Sequence, residues 1–133
     1  MKTFYKILAA LLLIFNGVGA IFGGGNLINH PDGSSLSWTV DMLKHTPFND
    51  FLIPGIILLT ANGVFSFVVL GMMIFGLKRY STFIMLQGFI LSGWIVIQVI
   101  MLQQILSLHL IMGGTGLLLI VCGWRLAGIE GMR

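Results

Sequence analysis

Three stretches of this chain contain no Asp, Glu, Lys or Arg: residues 7–31, 51–77 and 80–124. A helix needs about 20 apolar residues to cross the hydrocarbon core of a bilayer, and each run meets that length. The last run would measure about 68 Å as a single helix, roughly twice the core thickness. It must therefore fold back. The break is expected at Gln103-Gln104-Ile105-Leu106-Ser107, the most polar stretch inside the run. The reading is an all-α, four-helix up-down bundle forming one membrane domain. Its spans are about 7–28, 51–77, 82–103 and 106–126, with an outer loop at 29–50.

Composition narrows the function classes. Hydrophobic residues make up 57% and charged residues 8% of the 133 positions, where soluble domains carry roughly 25% charged residues. Four acidic and seven basic side chains cannot cover a water-facing surface of this size. A soluble enzyme, a disordered chain and a nucleic-acid binder are excluded. The net charge of +3 does not restore the last, because the basic residues are scattered.

The first span has a competing reading as a secretory signal peptide, with a basic start, an apolar core at 7–15 and Val18-Gly19-Ala20 as a cleavage site. Apolar residues continue past that site through Ile21, Phe22, Leu27 and Ile28, which favours a retained span. Four spans put both termini on one side, together with Lys2, Lys6, Lys78, Arg79, Arg125 and Arg133, and leave Lys44 opposite. The positive-inside rule then makes both termini cytoplasmic in a plasma (inner) membrane. Tyr5, Tyr80 and Trp124 on that side, and Trp38, Phe48 and Phe51 on the other, are expected as interfacial anchors.

In the outer loop, His30-Pro31-Asp32-Gly33 reads as a turn. Ser34 or Ser35 is expected to cap a short helix with Leu36, Val40 and Leu43 on one face, lying on the membrane surface as a lid. Thr46-Pro47 reads as the cap and first position of the next helix, with a kink or irregular first turn near Pro54. The single cysteine, Cys122, has no partner for an internal disulfide or for dithiol redox chemistry, and reads as an inert apolar residue.

No charged residue falls inside a span, so ion-coupled transport lacks the group it usually needs. Neutral polar residues form stripes at 100° per residue. Ala9, Asn16, Ala20 and Gly23 share a face of the first helix, and Gly55, Leu59, Asn62 and Ser66 one of the second. Gln87, Leu91, Trp94 and Gln98 share a face of the third, and His109, Gly113, Gly116, Ile120 and Gly123 one of the fourth. An unsatisfied amide in hydrocarbon costs several kcal/mol, so the four faces should converge on the bundle axis. Packing contacts are one reading of the stripes. The other is a ligand pocket built from Asn16, Asn62, Gln98, His109 and Trp94, opening toward the outer loop, with Asn62 facing Gln98. His30, His45 and His109 lack metal-site spacing, and no pattern calls for a cofactor.

The size and four-helix outline resemble small bacterial integral membrane proteins, the DoxX-like proteins among them. Pro47-Phe48-Asn49-Asp50-Phe51-Leu52-Ile53-Pro54-Gly55 resembles segments of uncharacterised members of such families. The resemblance implies a bacterial inner-membrane accessory protein and assigns no residue a role. Three functions follow. The first is a non-catalytic accessory or subunit whose partners are the lipid bilayer and other membrane subunits or its own copies. The second is a binder or carrier of a small neutral lipophilic molecule, a quinone or a lipid. The last is an enzyme with His109 or His45 as base, which lacks a partnering nucleophile or carboxylate.

Overall fold

Apolar side chains leave the backbone no external partner in hydrocarbon, so the long runs satisfy their N–H and C=O groups internally, as helices. In the computed structural model, which describes residues 1–44 and 46–130, four helices are long and apolar enough to cross a membrane. They are α1 (Lys2–Asn29), α2 (Leu52–Ile74), α3 (Tyr80–Leu102) and α4 (Ser107–Ile129). No strand occurs among the described residues. His45 and Arg133 lie outside the described residues.

The connections are short and have local causes. Gly76 adopts φ +67°, its N–H bonds to Met73 O and the Leu77 N–H bonds to Met72 O. This is a Schellman closure, and it ends α2 three residues before position 77. The turn into α3 therefore occupies 75–79 rather than the expected 78–81. Between α3 and α4, Gln103 takes φ +54° and bonds to Val99 O at 2.9 Å, so the chain reverses within the polar stretch that marks the break.

Each helix runs antiparallel to the next. Asn16 of α1 meets Ser66 of α2, and Gly24 abuts Gly55. On the α3–α4 seam, Gly88 lies against Gly116 and Gly123 against Ser81 and Met85. A Cβ on Gly24 would come within 2.8 Å of Gly55 O, and one on Gly88 within 2.7 Å of Gly116 O. The helix backbones approach as closely as only glycine permits. Lys2 reaches Glu130, which brings α1 and α4 together at the end that carries both termini.

Burial divides the bundle into layers. Toward the termini, Ala9, Leu13, Val69, Ile84, Leu119 and Leu126 form an apolar core. A smaller core of Leu27, Leu43 and Phe51, with Trp38 and Leu102 against it, lies under the loop. Phe4, Leu11, Val18, Ile100, Leu110 and Leu117 are exposed on the outside.

The loop departs from expectation. It holds two separate 3-10 turns, Ser34–Leu36 and Val40–Leu43, not one amphipathic helix. Ser37 at φ +60° and extended Thr39 separate them, so Val40 is exposed while Leu43 is buried and the expected shared face does not form. No cap forms at Ser34 or Ser35. Instead the Ser34 N–H donates to Asp32 Oδ1 at 3.0 Å, and these Ser34 hydrogen bonds hold the Asp32 carboxyl below its ordinary value. Thr46 does not cap α2 either. Its Oγ1 donates to Leu43 O and accepts the Phe48 N–H, closing a turn. Asp50 Oδ1 accepts the Leu52 N–H at 3.0 Å where α2 begins. Phe51 is buried against Trp38, with ring centroids 5.5 Å apart. These two rings build the loop's own core.

The first turn of α2 is regular despite Pro54, because a proline there lacks only an N–H that the helix would leave unpaired. The irregularity comes later. Leu58–Val64 is wound as a π-helix, where Thr60 Oγ1 bonds back to Ile56 O and Ile57 O. Gly63 within it packs on Ile21 of α1. Such widened turns re-aim the side chains that they carry, and Asn62 is one of them.

Candidate functional site: an apolar cavity beneath the loop

Between the two cores lies a cavity of about 400 Å³. All four helices contribute to it. Leu58 of α2 and Leu91 of α3 line it, and Leu36 and Trp38 of the loop cover it. Gly19 and Phe22 of α1 and Leu108 of α4 are lining residues that are also exposed. The exposed part of the lining therefore includes residues of α1 and α4, while Leu36 and Trp38 line the cavity on the loop side.

Among the described residues, no Asp, Glu, Lys or Arg lines the cavity. Its polar lining comes from Asn16, Trp94 and Gln98, three of the five residues singled out from the sequence. Asn16 is fully buried. Its Nδ2 donates to Ser66 Oγ at 2.9 Å and to Asn62 O at 3.3 Å. Those bonds set the amide's orientation and leave Oδ1 without a partner. Trp94 is buried, and its Nε1–H is also unpartnered among the described residues. Gln98, four residues on and so on the same face of α3, is half-buried.

Asn62 and His109 are elsewhere. Asn62 does not line the cavity and does not face Gln98. Its Oδ1 accepts from Gln87 Nε2 at 3.2 Å. Asn62 sits ten residues inside α2 and Gln98 four residues from the end of α3, so the two lie at different depths. The sequence stripe places a residue on a face but leaves its depth open, and the π-helix shifts the register besides. Asn16, Ser66, Asn62 and Gln87 form a polar layer between the termini-side core and the cavity. Within it Asn62 Nδ2 and Gln87 Oε1 stay unpaired. His109 Nδ1 accepts the Leu106 N–H at 3.1 Å, closing the first turn of α4. An Nδ1 that accepts carries no proton, so the ring N–H is on Nε2. The histidine considered as a base is thus engaged as a helix cap, and its alternative, His45, lies outside the described residues.

Two features had little signal in the sequence. The lining residues Phe22, Leu108 and Met112 are ordinary apolar side chains that only tertiary packing brings to one cavity. At the termini end, Tyr80 is buried and donates its hydroxyl to Glu130 Oε1. Lys2 Nζ pairs with the same oxygen at 3.0 Å, Lys6 lies over the Tyr80 ring and Arg125 over the Tyr5 ring. Burial raises the Glu130 pKa, but the bonds from Tyr80 and Lys2 and the charges of Lys2 and Lys6 outweigh it, leaving the carboxyl below its ordinary value.

No family model, curated protein or solved structure matches this chain. The outline shared with DoxX-like proteins therefore carries no residue role.

Proposed function

We propose that this chain is an integral membrane protein that binds one small, neutral, lipophilic molecule in the cavity beneath its loop. The observation that carries the reading is the cavity itself. It is about 400 Å³ in volume with no charged lining residue among the described residues, within the size range of small-molecule sites. Exposed lining at Gly19, Phe22 and Leu108 suits entry from the bilayer rather than from water. A quinone and a lipid both fit that description. An accessory subunit would also expose apolar helix faces, but a lipid-facing surface explains those faces equally well, and the cavity supports the binding reading.

In this reading the four helices span the membrane as an up-down bundle. Lys2, Lys6, Lys78, Arg79 and Arg125 lie at the termini end, and Lys44 lies in the loop. That distribution supports cytoplasmic termini and an inner-membrane location. Native mass spectrometry of the purified protein tests the binding. We expect one co-purifying neutral molecule per chain, lost when Gly19→Phe fills the exposed part of the cavity, where a Cβ meets nothing within 4 Å. Wild-type protein that emerges with no such adduct, at full helix content, defeats the proposal.

A further inference from the structure

We propose that the termini end of the bundle binds anionic phospholipid, with Lys6 and Arg125 taking the headgroup phosphate. This rests on the chain crossing a membrane and not on the cavity. Charge at that end is unequal. Among the described residues it carries Lys2, Lys6, Lys78, Arg79 and Arg125 against the single acid Glu130. Lys2 pairs with Glu130 at 3.0 Å, and the Tyr80 hydroxyl bonds to the same carboxylate oxygen. Lys6 and Arg125 form no salt bridge within the described residues. Each is laid against an aromatic face instead, Lys6 at 5.2 Å from the Tyr80 ring centroid and Arg125 at 5.6 Å from that of Tyr5.

Depth decides what can neutralise these two cations. Lys6 lies four residues inside the start of α1 and Arg125 four residues before the end of α4, about 6 Å along each axis. The Lys2–Glu130 pair holds those two helix ends level, so Lys6 and Arg125 share one level. α1 has 28 residues, about 42 Å of helix against about 30 Å of hydrocarbon. Its first turn therefore stands among headgroups, with Lys6 at their inner edge. Exposed Phe4 and Ile7 flank Lys6, and exposed Val121 and Trp124 flank Arg125. A cation amid apolar side chains at that level sits beside lipid tails, and its long stem carries the charge outward to the headgroups. The anions it meets there are lipid phosphates, which accept from an ammonium and bind a guanidinium through two parallel hydrogen bonds. A zwitterionic lipid brings its own cation with its phosphate, so the surplus positive charge favours a headgroup of net negative charge. An acidic protein segment would have to reach below the helix ends, between the tails, to meet the same two residues.

The test uses the full chain purified in maltoside micelles and offered dioleoyl phosphatidylglycerol or dioleoyl phosphatidylcholine, with retained lipid counted by native mass spectrometry. We expect wild type to hold the anionic lipid more tightly. Lys6→Gln and Arg125→Gln should each weaken it about fivefold, as one basic residue at an anionic surface implies, with phosphatidylcholine unchanged. Lys6→Arg should keep the preference, and so should Lys44→Gln, which removes the same charge from the loop. Glycerophosphoglycerol, the headgroup without tails, should not compete at equal concentration. Circular dichroism checks each fold, and Arg125→Gln, at an exposed position, serves alone if Lys6→Gln is unfolded. Equal retention of the two lipids by wild type overturns the proposal and leaves the cavity reading standing. An undiminished preference in folded Arg125→Gln, or an equal loss in Lys44→Gln, overturns the assignment to these residues. Competition by glycerophosphoglycerol makes the ligand a soluble phosphate, and an acidic protein retained in place of lipid makes the surface a protein interface. Either result overturns the lipid assignment.

Discussion

Glu130 is the one acidic side chain at the termini end of the bundle, and three groups close around it. Its hydrogen bonds to Tyr80 and Lys2 tie α3 and the start of α1 to the residue that ends α4. The folded carboxyl lies below its ordinary value, so the unfolded chain takes up the proton first as pH falls. The stabilisation is complete above the ordinary carboxylate pKa of about 4.3 and is lost as pH drops through the folded value. Thermal unfolding in detergent from pH 7 down to pH 3 should show wild type losing stability faster than Glu130→Gln. Parallel curves would mean that the contact contributes nothing. Asn62 makes a second case at this scale. It bonds Gln87 and stands outside the cavity wall, so Asn62→Leu should lower stability by about 1 kcal/mol while any molecule bound in the cavity remains. Loss of that molecule with stability intact would return Asn62 to the site. Neither partnership was readable in advance, because Gln87 and Gln98 carry the same amide on the same stripe and only depth separates them.

At the scale of the helices, the seams rest on backbone contact. Gly24 sits where a Cβ would lie 2.8 Å from Gly55 O and 2.9 Å from Leu59, whereas a Cβ on Gly25 meets nothing within 4 Å. Gly24→Ala should therefore push α1 from α2 and cost about 1–3 kcal/mol. Gly25→Ala should be neutral or stabilising by up to about 1 kcal/mol, through helix propensity. Equal effects in a thermal shift assay would show that the α1–α2 seam is not tightly packed. Helix number was legible at this scale, since charge-free length and a polar break are local properties. The loop was not. Its apolar residues have helical spacing, yet Ser37 adopts a left-handed backbone, and burying Leu43, Phe51 and Trp38 together wins over a continuous helix. The π-helix at Leu58–Val64 has the same character, because its register answers to packing of Gly63 on α1.

For the whole molecule, the proposed insertion makes opposite predictions for the two ends. A membrane-impermeant thiol reagent applied from outside should label Asp41→Cys, in the loop, and miss Lys78→Cys, in the turn between α2 and α3. Cys122 is buried and adds little background. The reverse pattern would invert the orientation, and labelling of both would argue against an intact barrier between them. What the residues determined by themselves was the helical class, the count of four long apolar helices, and the presence of amides that hydrocarbon would not accept unpaired. These follow from the cost of exposing backbone and polar groups to an apolar surrounding, which depends only on local composition and length. The cavity and the sorting of the amides into a packed layer and a wall belong to the tertiary structure alone. Helical periodicity assigns each residue an angle about its own axis, but it does not say how far along a neighbouring helix that residue will come to rest.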